Sequence, residues 1–330
     1  MERAHRPVGV FVLGDVPPCN LATVSRQIED NGFSEIWIAE DCFMISGFAS
    51  AAIALASTKS IKVGIGAVAN RVRHPAVAAM EATTLAGAFP ERFNQLGVAH
   101  GVPTWMKQIG LYPKSVLTAL QEAVVGIKRL VNGETLTETG EYYSYDNVTL
   151  THPAPQLKVL TAVVGPKSID LTAQIADGML ISVLAGPKYV KAVRDQIRKA
   201  RKAAGLPDKF EIVSYVLACV GPDRTVARQK VRAAAAFYLE AMGPTLMTGV
   251  YGVNDQVAAL MKKGGGAKLA QNLPEDWLDW LVIAGEPADA VEMIDAHFHA
   301  GATSVALCIV PSDELPAQLQ LIGREVLPHV

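Results

Sequence analysis

Three carboxylates stand where two apolar runs end. In the opening segment VGVFVLGD the run stops at Asp15, and in EIWIAEDCF it stops at Glu40 and Asp41. If those runs are parallel strands of one barrel, their C-terminal ends share a rim, and side chains at that rim carry the chemistry of such barrels. Adjacent residues of an extended segment point to opposite faces, so one of Glu40 and Asp41 faces the pocket while the other can hold backbone groups beneath it. Burial that raises a carboxyl pKa towards neutrality makes it a proton donor or base. A lone acid at a strand end can equally be a helix cap or a loop tie. Further along, AHGVP sets His100 beside Gly101 at the end of another apolar run, in contact with a cofactor or packed in the core. TAVVGPKSIDL turns at Gly165-Pro166 into a helix whose free amides near Lys167 and Ser168 can hold a phosphate or a ring carbonyl. Arg73 and His74 precede Pro75, a position suited to helix capping or loop anchoring. His297 and His299, two apart on a predicted helix, share no face and read as surface residues.

The elements that must position these residues follow from periodicity. Apolar runs at 8–13, 35–39, 62–69, 93–99, 159–164, 178–183, 211–220 and 304–310 alternate with helical segments at 21–31, 48–58, 75–88, 116–132, 168–176, 187–204, 225–241 and 315–326. Eight strands alternating with eight helices predict an α/β protein, a closed (β/α)8 TIM barrel rather than an open sheet. Strands buried on both faces account for the mean hydropathy of +0.23. The stretch 63–102, VGIGAVANRVRHPAVAAMEATTLAGAFPERFNQLGVAHGV, is one complete strand, helix, strand unit with both of its strand ends on the rim. A single domain over residues 1–330 is expected, because barrels with insertions reach this length. Two stretches break the alternation. Residues 133–156 alternate threonine and tyrosine with polar residues around turns, predicting a small hairpin. Residues 243–285 hold Gly264-Gly265-Gly266, Pro274 and two tryptophans, and read as a helical insertion. Either insertion can serve as a lid, a packing extension or a subunit contact.

Composition removes several function classes. The 30 basic and 32 acidic residues are interspersed and give a net charge of -2, which offers nothing to nucleic acid or an anionic membrane surface. No apolar run approaches the roughly 18 residues that cross a bilayer. The basic N-terminal start leads into an apolar segment that ends at Asp15 and Pro17-Pro18 instead of a small-residue cleavage site, so a cytoplasmic location is expected. Cys19, Cys42, Cys219 and Cys308 lack the paired spacing of a metal site, and Cys219 and Cys308, which lie in apolar strand runs, read as packed free thiols. The absence of G-x-G-x-x-G, P-loop, H-E-x-x-H and G-x-S-x-G patterns argues against a dinucleotide-fold dehydrogenase, an NTPase, a zinc peptidase and an ordinary serine hydrolase.

Taken together, GVFVLGD, WIAED, the 63–102 stretch and AVVGPKSIDLTAQIADG resemble the bacterial luciferase-like superfamily over nearly the whole chain, and within it the coenzyme F420-dependent oxidoreductases. The resemblance implies a luciferase-like barrel holding the deazaflavin F420, with FMN as the alternative cofactor because flavin-using members share much of the pattern. It implies hydride transfer between F420 and a small organic substrate; an FMN-dependent monooxygenase and a non-catalytic cofactor-binding protein are the alternatives. It places a non-prolyl cis peptide at Gly66-Ala67 against the middle of the cofactor ring, and further cofactor contacts at His100, Gly101, Val102, Val163, Val164, Gly165 and Pro166. Asp15 falls where those members have an acid near the reacting ring carbon, and with Glu40 and Asp41 it makes up the expected catalytic set. Where those members usually carry Asp-His, this chain carries Glu40-Asp41, so a mechanism that needs a neutral imidazole does not transfer. No cluster of basic residues marks a sugar-phosphate site. Met44 and Trp105 fall near the mouth, as ring or substrate contacts or as loop packing. Family habit and the apolar balance imply a homodimer.

Overall fold

A computed structural model of the chain describes residues 6–330; residues 1–5, which include part of the basic start, lie outside the described residues. The first half runs β1 (Val8–Val12), α1 (Leu21–Asp30), β2 (Glu35–Ile38), α2 (Gly47–Ser57), β3 (Lys62–Ala69), α3 (Pro75–Ala88), β4 (Gln95–Ala99), α4 (Pro103–Gln108) and α5 (Val116–Val131). The hairpin β5 (Leu136–Thr139) and β6 (Ser144–Val148) follows, then β7 (Lys158–Ala162), α6 (Pro166–Ile175), β8 (Gly178–Ile181), α7 (Pro187–Ala203) and β9 (Glu211–Val220). After α8 (Arg224–Met242) come four short helices, α9 (Leu246–Gly249), α10 (Asn254–Lys263), α11 (Ala267–Asn272) and α12 (Glu275–Leu281). The chain closes with β10 (Ile283–Gly285), α13 (Pro287–His299), β11 (Ser304–Ile309) and α14 (Leu315–Glu325).

Eight parallel strands close in the order β1-β2-β3-β4-β7-β8-β9-β11, with β11 returning to β1, so the fold is the (β/α)8 barrel. All eight strands read from the sequence are present, and their ends move by no more than about two residues, the usual uncertainty of a boundary. The strand β10 was not anticipated. Its three residues pair with Ala218–Val220 at the flank of β9, and three residues are too few to carry a period of their own.

Two apolar layers sit on either side of the sheet. Along β9, Ile212, Val216 and Ala218 pack on the helix side while Val213, Tyr215, Leu217 and Cys219 fill the interior, the alternation of a pleated strand. The interior is aromatic. Phe11 stacks on Tyr215 with ring centroids 4.3 Å apart, and Trp37 meets the same ring edge-on at 5.9 Å. Both Trp37 and Tyr215 press on β3: a Cβ at Gly64 would stand 2.6 Å from the Trp37 ring, and one at Gly66 would stand 1.9 Å from the Tyr215 hydroxyl. Only glycine fits at either position. Directly above, the β3–β4 register slips between Ile65 and Val68, so Ala67 turns back onto the interior cluster at the mouth. The peptide bonds Gly66–Ala67 and Cys42–Phe43 are both cis.

The expectation of two surface histidines requires a correction. His299 is exposed, but His297 is fully buried, with its Nδ1 2.9 Å from the Ser214 hydroxyl of β9. The rule that residues two apart share no face holds here, and it is the inner of the two faces that His297 occupies.

Two outcomes follow from these contacts. Gly66→Ala should cost about 2–3 kcal/mol in urea unfolding, and Tyr215→Phe in that background should restore part of it by removing the closest atom. Burial lowers the His297 pKa from 6.5 to about 4, so the imidazole is neutral in the folded state while the unfolded chain binds a proton below pH 6.5. Its stabilising contribution is present above pH 6.5 and is lost as pH falls towards 4, by up to about 3 kcal/mol. Melting curves across that window should therefore fall more steeply for the parent than for His297→Asn.

Candidate active site

The loops after β1, β2, β3, β4, β7 and β11 form the mouth. The adjacent carboxylates after β2 part company as their spacing requires. Glu40 turns to the helix layer, where Arg73 grips it with both terminal guanidinium nitrogens (2.5 and 2.9 Å) and the backbone N–H of Gly47, the first residue of α2, donates to it at 2.8 Å. Arg73 also pairs with Glu81 of α3 at 2.9 Å and lies over the Phe48 ring at 5.0 Å. This network ties the β2–α2 loop to the β3–α3 loop. Arg73 is therefore an anchor, and Glu40 is occupied in an ion pair instead of facing the mouth as a free acid.

Asp41 is the free carboxylate of the two. It makes no side-chain hydrogen bond or ion pair among the described residues, and burial, then the Glu40 charge beside it, raises its pKa. Asp15 lies exposed at the end of β1, where its carboxylate accepts from the Ser312 hydroxyl at 2.7 Å. Ser312 follows β11 across the cis Val310–Pro311 bond. Met44 packs directly over Gly14 next to Asp15, and Phe43 is largely exposed beside it. Trp105 is half-buried on α4.

On the opposite arc, His100 follows β4 with its Nε2 3.4 Å from the Ser168 hydroxyl on α6. Burial lowers its pKa, against a backbone hydrogen bond at Val116 that works the other way. Asn70 stands one residue past the last β3–β4 ladder pair, Ala69 with Ala99, as His100 does on the neighbouring strand. Its amide is buried with neither Oδ1 nor Nδ2 partnered, and nothing in the sequence reading singled it out. Gly101 takes φ +77°, and a Cβ there would meet Met106 and Ala69, so the turn needs glycine. Val102 is exposed at the start of α4.

At the end of β7 the expected lining changes by one residue. Val163 is buried on the helix side, in the same layer as Val159, and Ala162 is the residue that faces the interior. The slip has a simple cause: side chains alternate, and the parity of a strand cannot be read from a run that is apolar on both faces. Val164 is half-buried and its carbonyl accepts from Tyr189. Gly165 precedes α6, Pro166 opens it, and no side chain caps it, so the amides at its first turn remain open to a ligand. His74, by contrast, is a cap: its Nδ1 accepts from the Ala76 N–H at 3.2 Å.

Sequence reasoning missed Tyr238. On α8, its phenol is hydrogen-bonded to the buried Cys308 thiol, and burial, then the charges of Cys308, Asp41 and Asp15, push it well above the ordinary range. A signal was present in the spacing of Ala234, Tyr238 and Met242, four residues apart on one helix face. A separate cavity of about 520 Å³ lies between α7, α8, α12 and α13, lined in part by Lys188, Arg224, Tyr251, Trp280 and Met293. None of the expected site residues lines it.

Comparison with known proteins agrees with this architecture. The chain is 26% identical over 330 residues to the 5,10-methylenetetrahydromethanopterin reductase of Archaeoglobus fulgidus, covering 98% of this chain and 99% of that one. It is 26% identical over 286 residues to the F420-dependent glucose-6-phosphate dehydrogenase of Microbacterium testaceum, covering 83% and 80%. The solved coenzyme F420 dependent tetrahydromethanopterin reductase from Methanopyrus kandleri superposes with a TM-score of 0.84 at 24% identity, covering 99% of both chains. Residues 7–304 match the family model for luciferase-like monooxygenases. The chain belongs to the luciferase-like monooxygenase family.

Proposed function

We propose that this protein is an F420-dependent oxidoreductase that moves a hydride between the deazaflavin and a small organic substrate. The observation that carries the reading is full-length similarity to F420-dependent reductases joined to a mouth with one free, half-buried acid, Asp41. The residues present fit such a cofactor. His100 stands on the same arc, the unpartnered amide of Asn70 offers hydrogen bonds there, and the open amides past Gly165 and Pro166 suit a phosphate. Ala67, on the β3 bulge at Gly66, backs the ring, and Gly101, Val102 and Val164 border it. The cofactor thus occupies the β3–β7 arc of the rim and leaves the β11–β1–β2 arc to the substrate.

When bound, the deazaflavin supplies or accepts the hydride. The chain supplies position and a proton. Asp41, whose pKa is raised by burial and by Glu40, carries a proton to or from the substrate heteroatom. Asp15, fixed by Ser312, closes the same side. Glu40 acts at one remove, holding the loop through Arg73.

A homodimer is part of the proposal. Ile53 on α2 and Val77 and Met80 on α3 stand 39%, 42% and 52% exposed, a pattern that fits a partner surface. The four free thiols suit a reducing, cytoplasmic compartment. No helix among the described residues is long and apolar enough to cross a membrane.

Titration of the protein with F420 should give saturable quenching of the deazaflavin fluorescence; tight FMN binding with no response to F420 would overturn the reading. Asp41→Asn should lower turnover on the order of 100-fold with F420 binding retained, whereas Glu40→Gln should chiefly lower the melting temperature. Sedimentation at micromolar concentration should give twice the 35.1 kDa chain mass.

A further inference from the structure

The hairpin β5–β6 stands outside the barrel, yet one of its side chains reaches the rim. Tyr143, in the turn just before β6, is buried, and its hydroxyl donates to the backbone carbonyl of Asn70 at 2.6 Å across 73 residues of chain. The backbone N–H of Asn70 donates to the Ala99 carbonyl at 2.8 Å. Asn70 is thus pinned on both sides, by β4 through its N–H and by the hairpin through its carbonyl. Between the two pins the residue is 4% exposed, and neither Oδ1 nor Nδ2 has a partner among the described residues. A buried amide left in that state is destabilising, so a fold that holds it there points to a bound group that completes its hydrogen bonds.

Tyr143 is itself braced. Glu122 of α5 accepts from the backbone N–H groups of Glu141, Tyr142 and Tyr143 at 2.8, 2.9 and 3.2 Å. The Tyr142 hydroxyl accepts from the Ser115 N–H at the start of α5 at 2.7 Å. Arg71 lies over the Tyr142 and Tyr143 rings at 4.9 and 5.0 Å and hydrogen-bonds to the Tyr143 phenol, whose own proton goes to Asn70. His74, the cap of α3, meets the Tyr143 and Tyr145 rings edge-on at 5.5 and 5.1 Å. The hairpin turn and the loop after β3 are therefore locked to one another. Tyr145 offers a contrast on the same hairpin, because its buried hydroxyl has no partner among the described residues.

We propose that Tyr143 is a positioning residue for the cofactor and that the β5–β6 hairpin is the brace of its site. By fixing the Asn70 carbonyl, the phenol holds the Asn70 amide where it hydrogen-bonds the bound ring. This inference rests on the reading that the β3–β7 arc takes the deazaflavin. A hydrogen bond to a ligand contributes most when its protein partner needs no reordering on binding, and a backbone tied at both its N–H and its carbonyl meets that condition.

The test is a double-mutant cycle on cofactor affinity, read by fluorescence titration of the full-length protein with F420 and accompanied by melting temperatures. Tyr143→Phe should weaken binding about fivefold and Asn70→Ala about tenfold, with the double variant no weaker than Asn70→Ala alone, because the hydroxyl acts only through the amide. Asn70→Ala removes an amide that bonds to nothing in the fold, so its melting temperature should stay near the parent's. Tyr145→Phe, which loses an unbonded hydroxyl from the same hairpin, should bind as the parent does. A phenol that merely stabilised the hairpin would weaken binding equally in both backgrounds. The inference is overturned if Tyr143→Phe binds as tightly as the parent, or if its effect is undiminished in the Asn70→Ala background. If the parent takes FMN and not F420, the cofactor reading fails and the same cycle is read with FMN, which keeps the two failures distinguishable; a parent that saturates with neither overturns both.

Discussion

Trp37 and Tyr215 fill the barrel where β3 carries only Gly64 and Gly66, and the placement of the mouth depends on that contact. Aromatic rings of this size need room that a strand with side chains on its inner face does not leave. Close approach of ring to backbone is followed at once by the register slip that turns Ala67 towards the mouth. The interior is therefore a packed floor rather than a channel, as in other barrels of this type, and chemistry is confined to the rim above it. Tyr215 also carries a buried hydroxyl without a hydrogen-bond partner among the described residues, so the floor places a polar atom beside Gly66 at the bulge.

The rim is organised by unequal treatment of its carboxylates. Glu40 and Asp41 are adjacent in the chain, yet one is matched by a guanidinium and a backbone N–H while the other is left in a drier setting with a like charge beside it. Burial without pairing destabilises the ionised form, so the Asp41 carboxyl pKa is pushed up, while Glu40 is occupied as an anchor. Tyr238 approaches the same rim from α8, the helix that follows β9, instead of from a strand end.

Much of this was legible from residue order. All eight barrel strands follow from apolar runs of the right length, and the convergence of Asp15 and Asp41 follows from their position at strand ends. Gly66-Ala67 and Gly101 were marked by their surroundings in the 63–102 stretch. Val163 was not legible, because a run apolar on both faces has no readable parity. His297 was missed for a related reason: a polar residue on a helix looks exposed until a partner such as Ser214 is known. Asn70 and Tyr238 had no motif around them, and the first is recognised only by its unpartnered buried amide.

The sequence by itself determined the element order, the barrel and the set of acids that reach its rim, because hydrophobic periodicity and turn chemistry are local properties of the chain. Tertiary structure alone decided which acid is free. Arg73 is 33 residues from Glu40 and becomes its partner only when β2 and β3 lie side by side. Tyr238 enters the mouth only once α8 has packed on the interior. Ion pairing, desolvation and the facing of a side chain depend on distances across the fold, and these are set by packing rather than by spacing along the chain.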